Sequence, residues 1–244
     1  MLNSIEVINL SKSYKNKLAV NNINFNVREG KIMGLLGPNG CGKTTTIAMI
    51  LGLLKPSNGK ILINKKNIEN HRIDLLHKMN FISPYIELPK KLTVKQNLTV
   101  YGKLYSVRNL SERIDYLAEK LKLSKFLNNL TGELSSGQKN RVGLAKSLIN
   151  NPTVLLLDEP TASLDPETGD FVRTFLEEYQ NKNKISILLA SHNMDEVRRL
   201  CSSILMMKNG TIIDQGSPKE LINKHGRKNL EEVFLKLART NYEF

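Results

Sequence analysis

The sequence predicts an α/β fold with a mostly parallel sheet, an antiparallel β edge and an inserted α-helical subdomain, and three observations carry it. Short apolar runs of strand length alternate with segments of helical periodicity. Asn209-Gly210, which tolerates the positive φ values of a tight hairpin, joins the last two apolar runs. Between Tyr85 and Glu133 only helical patterns occur, whereas both flanks alternate strand with helix. The expected organisation is one domain: 1–84 and 134–215 as the catalytic α/β core, 85–133 as a helical subdomain, and 216–244 as a helical tail. No internal repeat, low-complexity tract or Gly/Ser linker divides it further.

Strands are expected at 5–10, 32–37, 60–63, 79–83, 154–158, 185–191, 204–208 and 211–215. Helices are expected at 43–54, 93–105, 111–121, 136–150, 166–180, 194–201 and 229–239. A further helix has clear punctuation. Ser217 can cap it, Pro218 suits the first helical position, Glu220 completes a capping box, and Gly226 ends it.

With 244 residues, 40% hydrophobic and 24% charged, the chain can bury a sizeable core, which excludes disordered, collagenous and disulfide-scaffold classes. No uncharged stretch exceeds eleven residues, the length of 44–54, short of the ~20 that span a bilayer. The N-terminus MLNSIEVINL lacks the basic flank, apolar run and cleavage site of an export signal, so a cytoplasmic location is expected. Cys41 and Cys201 belong to no CxxC or Cys/His cluster, and neither a disulfide nor a zinc site is expected. The formal charge of +13 invites an anionic partner. Its lysines are spread along the whole chain, however, and aromatics are only 6%, so solvated surface is the preferred explanation and no nucleic acid is expected.

The chemistry concentrates in 37–44. Gly37, Pro38, Asn39, Gly40, Cys41, Gly42, Lys43 and Thr44 fit GxxxxGK[ST] between an apolar strand and a helix, the context that makes a P-loop NTPase core credible. Glycines let the backbone curl and aim N–H groups at phosphate oxygens at the helix N-terminus. Lys43 supplies a cation to the terminal phosphates, the Thr44 hydroxyl suits Mg²⁺, and Thr45 completes the nucleotide-binding set. Cys41, at the mouth of the same helix beside Lys43, is expected to ionise readily and to react with alkylating agents. A second apolar strand, Val154–Asp158, ends in the adjacent carboxylates Asp158 and Glu159. Successive strand side chains point to opposite faces, so one acid can serve Mg²⁺ while the other addresses an attacking water.

Further motifs resemble the ATP-binding-cassette (ABC) ATPases over essentially the whole chain. Leu134-Ser135-Ser136-Gly137-Gln138 resembles that family's LSGGQ signature with Ser136 replacing the first glycine. Pro160-Thr161-Ala162 and Ser163-Leu164-Asp165 resemble its D-loop, and Ser191-His192 its switch histidine. The resemblance implies a head-to-tail dimer, with a second copy or a homologous ATPase subunit, that sandwiches ATP and Mg²⁺. In it Ser135, Ser136, Gly137 and Gln138 of one protomer face the P-loop of the other. It further implies that Glu159 polarises water, that His192 contacts the γ-phosphate, that Thr44 and Asp158 serve the metal, and that Tyr14 stacks on adenine beside Val20. Pro84, next to Ser83, aligns with a glutamine that the family usually carries.

The function implied is the ATP-hydrolysing subunit of a membrane transporter, peripheral on the cytoplasmic face through separate transmembrane permease subunits. The segment 226–235 resembles tails of subunits paired with ABC-2 type exporters, which favours export. The alternative is a soluble ABC ATPase acting on nucleic acid, ribosomes or cluster assembly. One compact cassette without inserted coiled coils or zinc modules argues against it.

Overall fold

The computed structural model describes residues 2–15, 17–83, 87–162 and 164–239, with side chains to 237. Pro84, Tyr85 and Ser163, singled out in the sequence, lie outside the described residues. The chain runs β1 (Asn3–Tyr14), β2 (Lys17–Arg28), β3 (Ile32–Leu36), α1 (Lys43–Ile50), β4 (Asn58–Ile63), β5 (Lys66–Asn67) and α2 (Arg72–Leu76). It continues through β6 (Met79–Ile82), α3 (Val94–Leu104), α4 (Leu110–Lys120), α5 (Ser136–Leu148), β7 (Val154–Asp158) and α6 (Pro166–Asn183). The last elements are β8 (Ser186–Ala190), α7 (Met194–Leu200), β9 (Ser203–Lys208), β10 (Thr211–Gly216), α8 (Pro218–His225) and α9 (Leu230–Arg239). Contacts gather these into two compact units, Met1–Leu75 with Ser186–Phe244, and Leu76–Ile185.

In the first unit β1 pairs antiparallel with β2 and β4, and β4 with β5. Ile5, Val7 and Leu10 of β1 and Val20, Ile23, Phe25 and Val27 of β2 are buried. The step from Val20 to Ile23 breaks the period of two because Asn22 adopts φ +47° at a register shift, a β-bulge. That break hid β2 from the sequence pattern. β3 pairs parallel with β8 and β9, and β9 turns through Asn209-Gly210 into antiparallel β10. Every residue of β3 and β8 is buried, as parallel strands covered on both faces should be. α1 stops at Ile50, not 54, because Gly52 at φ +63° turns the chain out of the helix.

The tail is tied down by a buried carboxylate. Asp214 on β10 receives Lys224 Nζ and His225 Nε2, each at 2.6 Å, from the last turn of α8. Burial alone would raise its pKa, but the hydrogen bonds from Lys224 and His225 outweigh that and hold the carboxyl below its ordinary value. A lowered folded-state pKa gives stability that is present above the unfolded carboxylate value of about 4 and lost as pH falls through the folded one. Asp214→Asn should therefore cost about 1–3 kcal/mol at pH 7 and flatten the loss of stability below about pH 4. Urea unfolding of both proteins from pH 7 to pH 2.5 checks this; parallel curves would sink it.

The second unit pairs β6 with β7 in parallel, Met79 opposite Val154. Residues 87–133 form α3, α4 and two short 3-10 turns, with no strand among the described residues. α3 starts with a reciprocal capping box between Thr93 and Gln96. Asn97, 1% exposed, donates to Thr131 Oγ1 at 2.8 Å and to the Pro89 carbonyl at 3.1 Å, which closes this segment on itself. Arg113 of α4 donates to the Leu148 and Ile149 carbonyls at the end of α5 and to the Tyr179 hydroxyl.

Candidate functional site

Leu36, opposite Met206 of β9, hands the chain from a buried strand to the glycine-rich loop. Gly42 has φ +108°, and a Cβ there would stand 2.7 Å from the Ala19 carbonyl and 3.2 Å from Val20 Cγ2. At Gly37 a Cβ would stand 2.5 Å from both Cys41 Sγ and the Met207 carbonyl. The loop is therefore pressed between β2 and the β9–β10 hairpin, where only glycine fits. Gly210 N–H donates to the Cys41 carbonyl at 3.1 Å, and the Gly210 carbonyl accepts from Asn21 N–H at 2.8 Å. Lys43 is 7% exposed, with Nζ donating to the Gly37 carbonyl at 2.7 Å and the Pro38 carbonyl at 3.2 Å. Among the described residues no carboxylate pairs with it, so this cation is held only by neutral oxygens and is suited to an anionic ligand. Pro38, Asn39, Gly40 and Thr44 are exposed, Thr45 half-buried.

In the same unit Val20 is fully buried against Gly42, whereas Tyr14 is 46% exposed with Lys12 Nζ 5.3 Å from its ring centre. One face of that ring carries a cation–π contact. His192 is exposed just before α7, whose cap Asn193 accepts from Glu196 N–H at 3.1 Å.

In the second unit Asp158 closes β7 with 3% exposure, and Glu159 follows half-buried at φ +52°. A non-glycine residue in this region costs about 1–2 kcal/mol, a strain that persists where a side chain must be aimed. Ser135 caps α5: its Oγ accepts from Gln138 N–H at 3.2 Å, while Gln138 Oε1 accepts from Ser135 N–H at 2.9 Å. The serine hydroxyl keeps its own hydrogen to donate outward. A Cβ on Gly137 would meet Thr168 Cγ2 of α6 at 3.0 Å, so this glycine also sets the approach of two helices. Ser136 is exposed. Asp165 caps α6 through Thr168 N–H at 2.9 Å, a bond that holds its carboxyl below the ordinary value.

A profile of the family described as ABC transporter matches residues 20–162. The chain belongs to the ABC transporter family. Nod factor export ATP-binding protein I of Rhizobium johnstonii is 38% identical over 224 residues, 91% of this chain and 71% of that protein. The osmoprotectant import ATP-binding protein OsmV of Salmonella typhimurium is 35% identical over 230 residues, 90% of this chain and 60% of that protein. Among solved structures, an ATP-binding subunit of an ABC transporter aligns with TM-score 0.88 at 26% identity, over 98% of this chain and 100% of the other. The cassette MJ0796, solved as a dimer in a post-hydrolysis state with ADP and Pi, aligns with TM-score 0.80 at 25% identity, over 87% and 98%.

Two features of this ABC chain were not legible as site elements in its sequence. The Met207 to Gly210 turn that backs the glycine-rich loop announced itself as a hairpin, but not as a neighbour of Gly37. Asn140 of α5, which donates to the Pro160 carbonyl at 2.7 Å and so ties the helix after the signature to the segment after Glu159, carried no signal. The expectation for Cys41 is corrected. It is 3% exposed, and burial raises its thiol although Lys43 and local backbone N–H groups pull the other way. Cys201 is raised further by burial. Both thiols should resist an aromatic disulfide reagent at pH 7 and react only after denaturation. Rapid labelling of Cys41 in the native protein would overturn this assignment.

Proposed function

We infer that this ABC chain is the ATP-binding and hydrolysing subunit of a membrane transporter, driving translocation through separate permease subunits by ATP-dependent closure of a dimer. The observation that carries it is Lys43, a buried cation held on the Gly37 and Pro38 carbonyls inside a glycine-rich loop at the start of α1. An incoming triphosphate gives Nζ anionic partners in place of those carbonyls, and the loop N–H groups supply the rest of the cradle. Tyr14 stacks on the base and Val20 supports it.

Glu159 accepts the proton of the attacking water, and His192 contacts the γ-phosphate. Thr44 and Asp158 offer the hard oxygens that Mg²⁺ prefers, and the nucleotide and waters fill the rest of its shell. When bound, Mg²⁺ neutralises charge developing on the phosphates. Ser135, Ser136, Gly137 and Gln138 of a second cassette complete the cage in trans, with Asp165 nearby. Segment 85–133 faces the permease, and the chain is peripheral on the cytoplasmic side; no described helix is long and apolar enough to cross a membrane.

Identity does not decide direction, since export and import relatives lie at 38% and 35%. Export rests on the 226–235 tail. The purified chain should hydrolyse ATP with Mg²⁺ and stop in EDTA; turnover unaffected by EDTA would refute the metal assignment. In vesicles whose cassettes face the bath, an exporter moves cargo inward on addition of Mg-ATP, and an importer does not.

A further inference from the structure

The tail helix α9 reaches the glycine-rich loop from outside. Its Phe234 and Leu237 share with Leu36, Pro38, Met207 and Ile213 a gap of about 10 Å³, no larger than one water. Lys208, at the end of β9, donates from Nζ to the Leu237 carbonyl at 2.9 Å. That carbonyl lies in the last turn of the helix, where intrahelical partners run out and a cation is favoured. The other end of α9 is anchored by Leu230 and Val233, 1% and 0% exposed, and the helix packs on α7 and α8. Its first residues share a cleft with His192 and Asn193.

The Pro38 carbonyl is held by Cys41 N–H and Lys43 Nζ, each at 3.2 Å, but its ring lies outside that net. Gly37 abuts the Met207 carbonyl, and Cys41 accepts from Gly210 N–H, so both flanks of the loop are fixed by the hairpin. Pro38 has no N–H to donate, so its ring can be held in place only by packing. The ring is exposed, and Phe234 and Leu237 of the tail stand with Leu36, Met207 and Ile213 around the small gap beside it.

We propose that α9 is a positioning element of the phosphate loop: Phe234 and Leu237 seat Pro38, with Lys208 tying the helix to the strand that backs the loop. This rests on the assignment of 37–45 as the ATP site. Truncating Phe234 removes the wall on one side of Pro38, and the N–H groups that must converge on the phosphates lose their alignment before ATP arrives. The acid that activates water is untouched. Binding therefore weakens while the chemical step persists.

The test is ATP affinity and steady-state turnover of the purified full chain. Phe234→Ala should raise the Kd and the KM for ATP about fivefold, leave kcat within about twofold, and recover in Phe234→Leu. Leu237→Ala, a smaller truncation facing the same gap, should shift Kd in the same direction. Leu235→Ala removes apolar bulk from the 41% exposed side of the helix and should leave Kd unchanged. The proposal is overturned if Phe234→Ala, or Leu237→Ala should the former not fold, lowers the melting temperature at unchanged Kd. It is equally overturned if Leu235→Ala weakens ATP binding as much. A wild-type chain that binds no ATP would overturn the site assignment itself, which separates the two failures.

Discussion

Glu159→Gln is expected to lower steady-state ATP hydrolysis by at least the ~100-fold associated with losing a positioned general base, while ATP binding stays nearly intact. The carboxylate follows the buried strand β7 and sits at φ +52°, a conformation the chain adopts at a cost. Glutamine keeps the size and the hydrogen-bonding geometry of the side chain and loses only the ability to take a proton. The closed, ATP-loaded dimer should therefore accumulate, visible as an ATP-dependent shift from monomer to dimer on size exclusion. Wild-type turnover in this variant would assign the base elsewhere. Normal binding without a dimer would instead question closure in trans.

Gly42→Ala should weaken ATP binding by about 30-fold or more, and Gly40→Ala by clearly less. Both glycines have positive φ, +108° and +78°, so alanine pays a backbone strain of about 1–2 kcal/mol at either. Their surroundings differ. At Gly42 the new methyl would stand 2.7 Å from the Ala19 carbonyl, a backbone atom that cannot move aside, whereas at Gly40 nothing lies within 4 Å. Collision adds to strain at one position only. A total of about 2–3 kcal/mol converts to roughly 30- to 150-fold in affinity. Equal losses in the two variants, measured by titration with ATP, would show that conformation alone governs the loop.

Much of the candidate site was legible because its chemistry is local. GxxxxGK[ST] places Lys43 and Thr44 by spacing alone, and Val154–Asp158 announces a buried strand with acids at its end. The capping box of α8 was equally local, set by Ser217 and Glu220 three residues apart; those of α3 and α5 were not read in advance. β2 escaped because its apolar period slips at Asn22, and α2 because five residues are too few for a helical period to register. The failure at Cys41 has a different origin. Helix position and a nearby lysine can be read from adjacent residues, but desolvation depends on what covers the thiol, here the close approach of Gly37 and Met207. The gap that Phe234 and Leu237 of α9 line together with Pro38 joins residues nearly two hundred positions apart and has no local signature.

The clamped condition of α5 has a mechanical consequence. A helix of 13 residues is about 20 Å long, and both of its ends are pinned, by the Ser135–Gln138 pair at the start and by Arg113 on the Leu148 and Ile149 carbonyls at the finish. Fraying, the usual way a helix absorbs displacement, is suppressed at both termini. α5 then behaves as a strut: a tilt of about 6° imposed at the Arg113 end would swing the Ser135 end through about 2 Å, more than half the length of a hydrogen bond. A motion too small to disturb the packing at one end is enough to make or break contacts at the other.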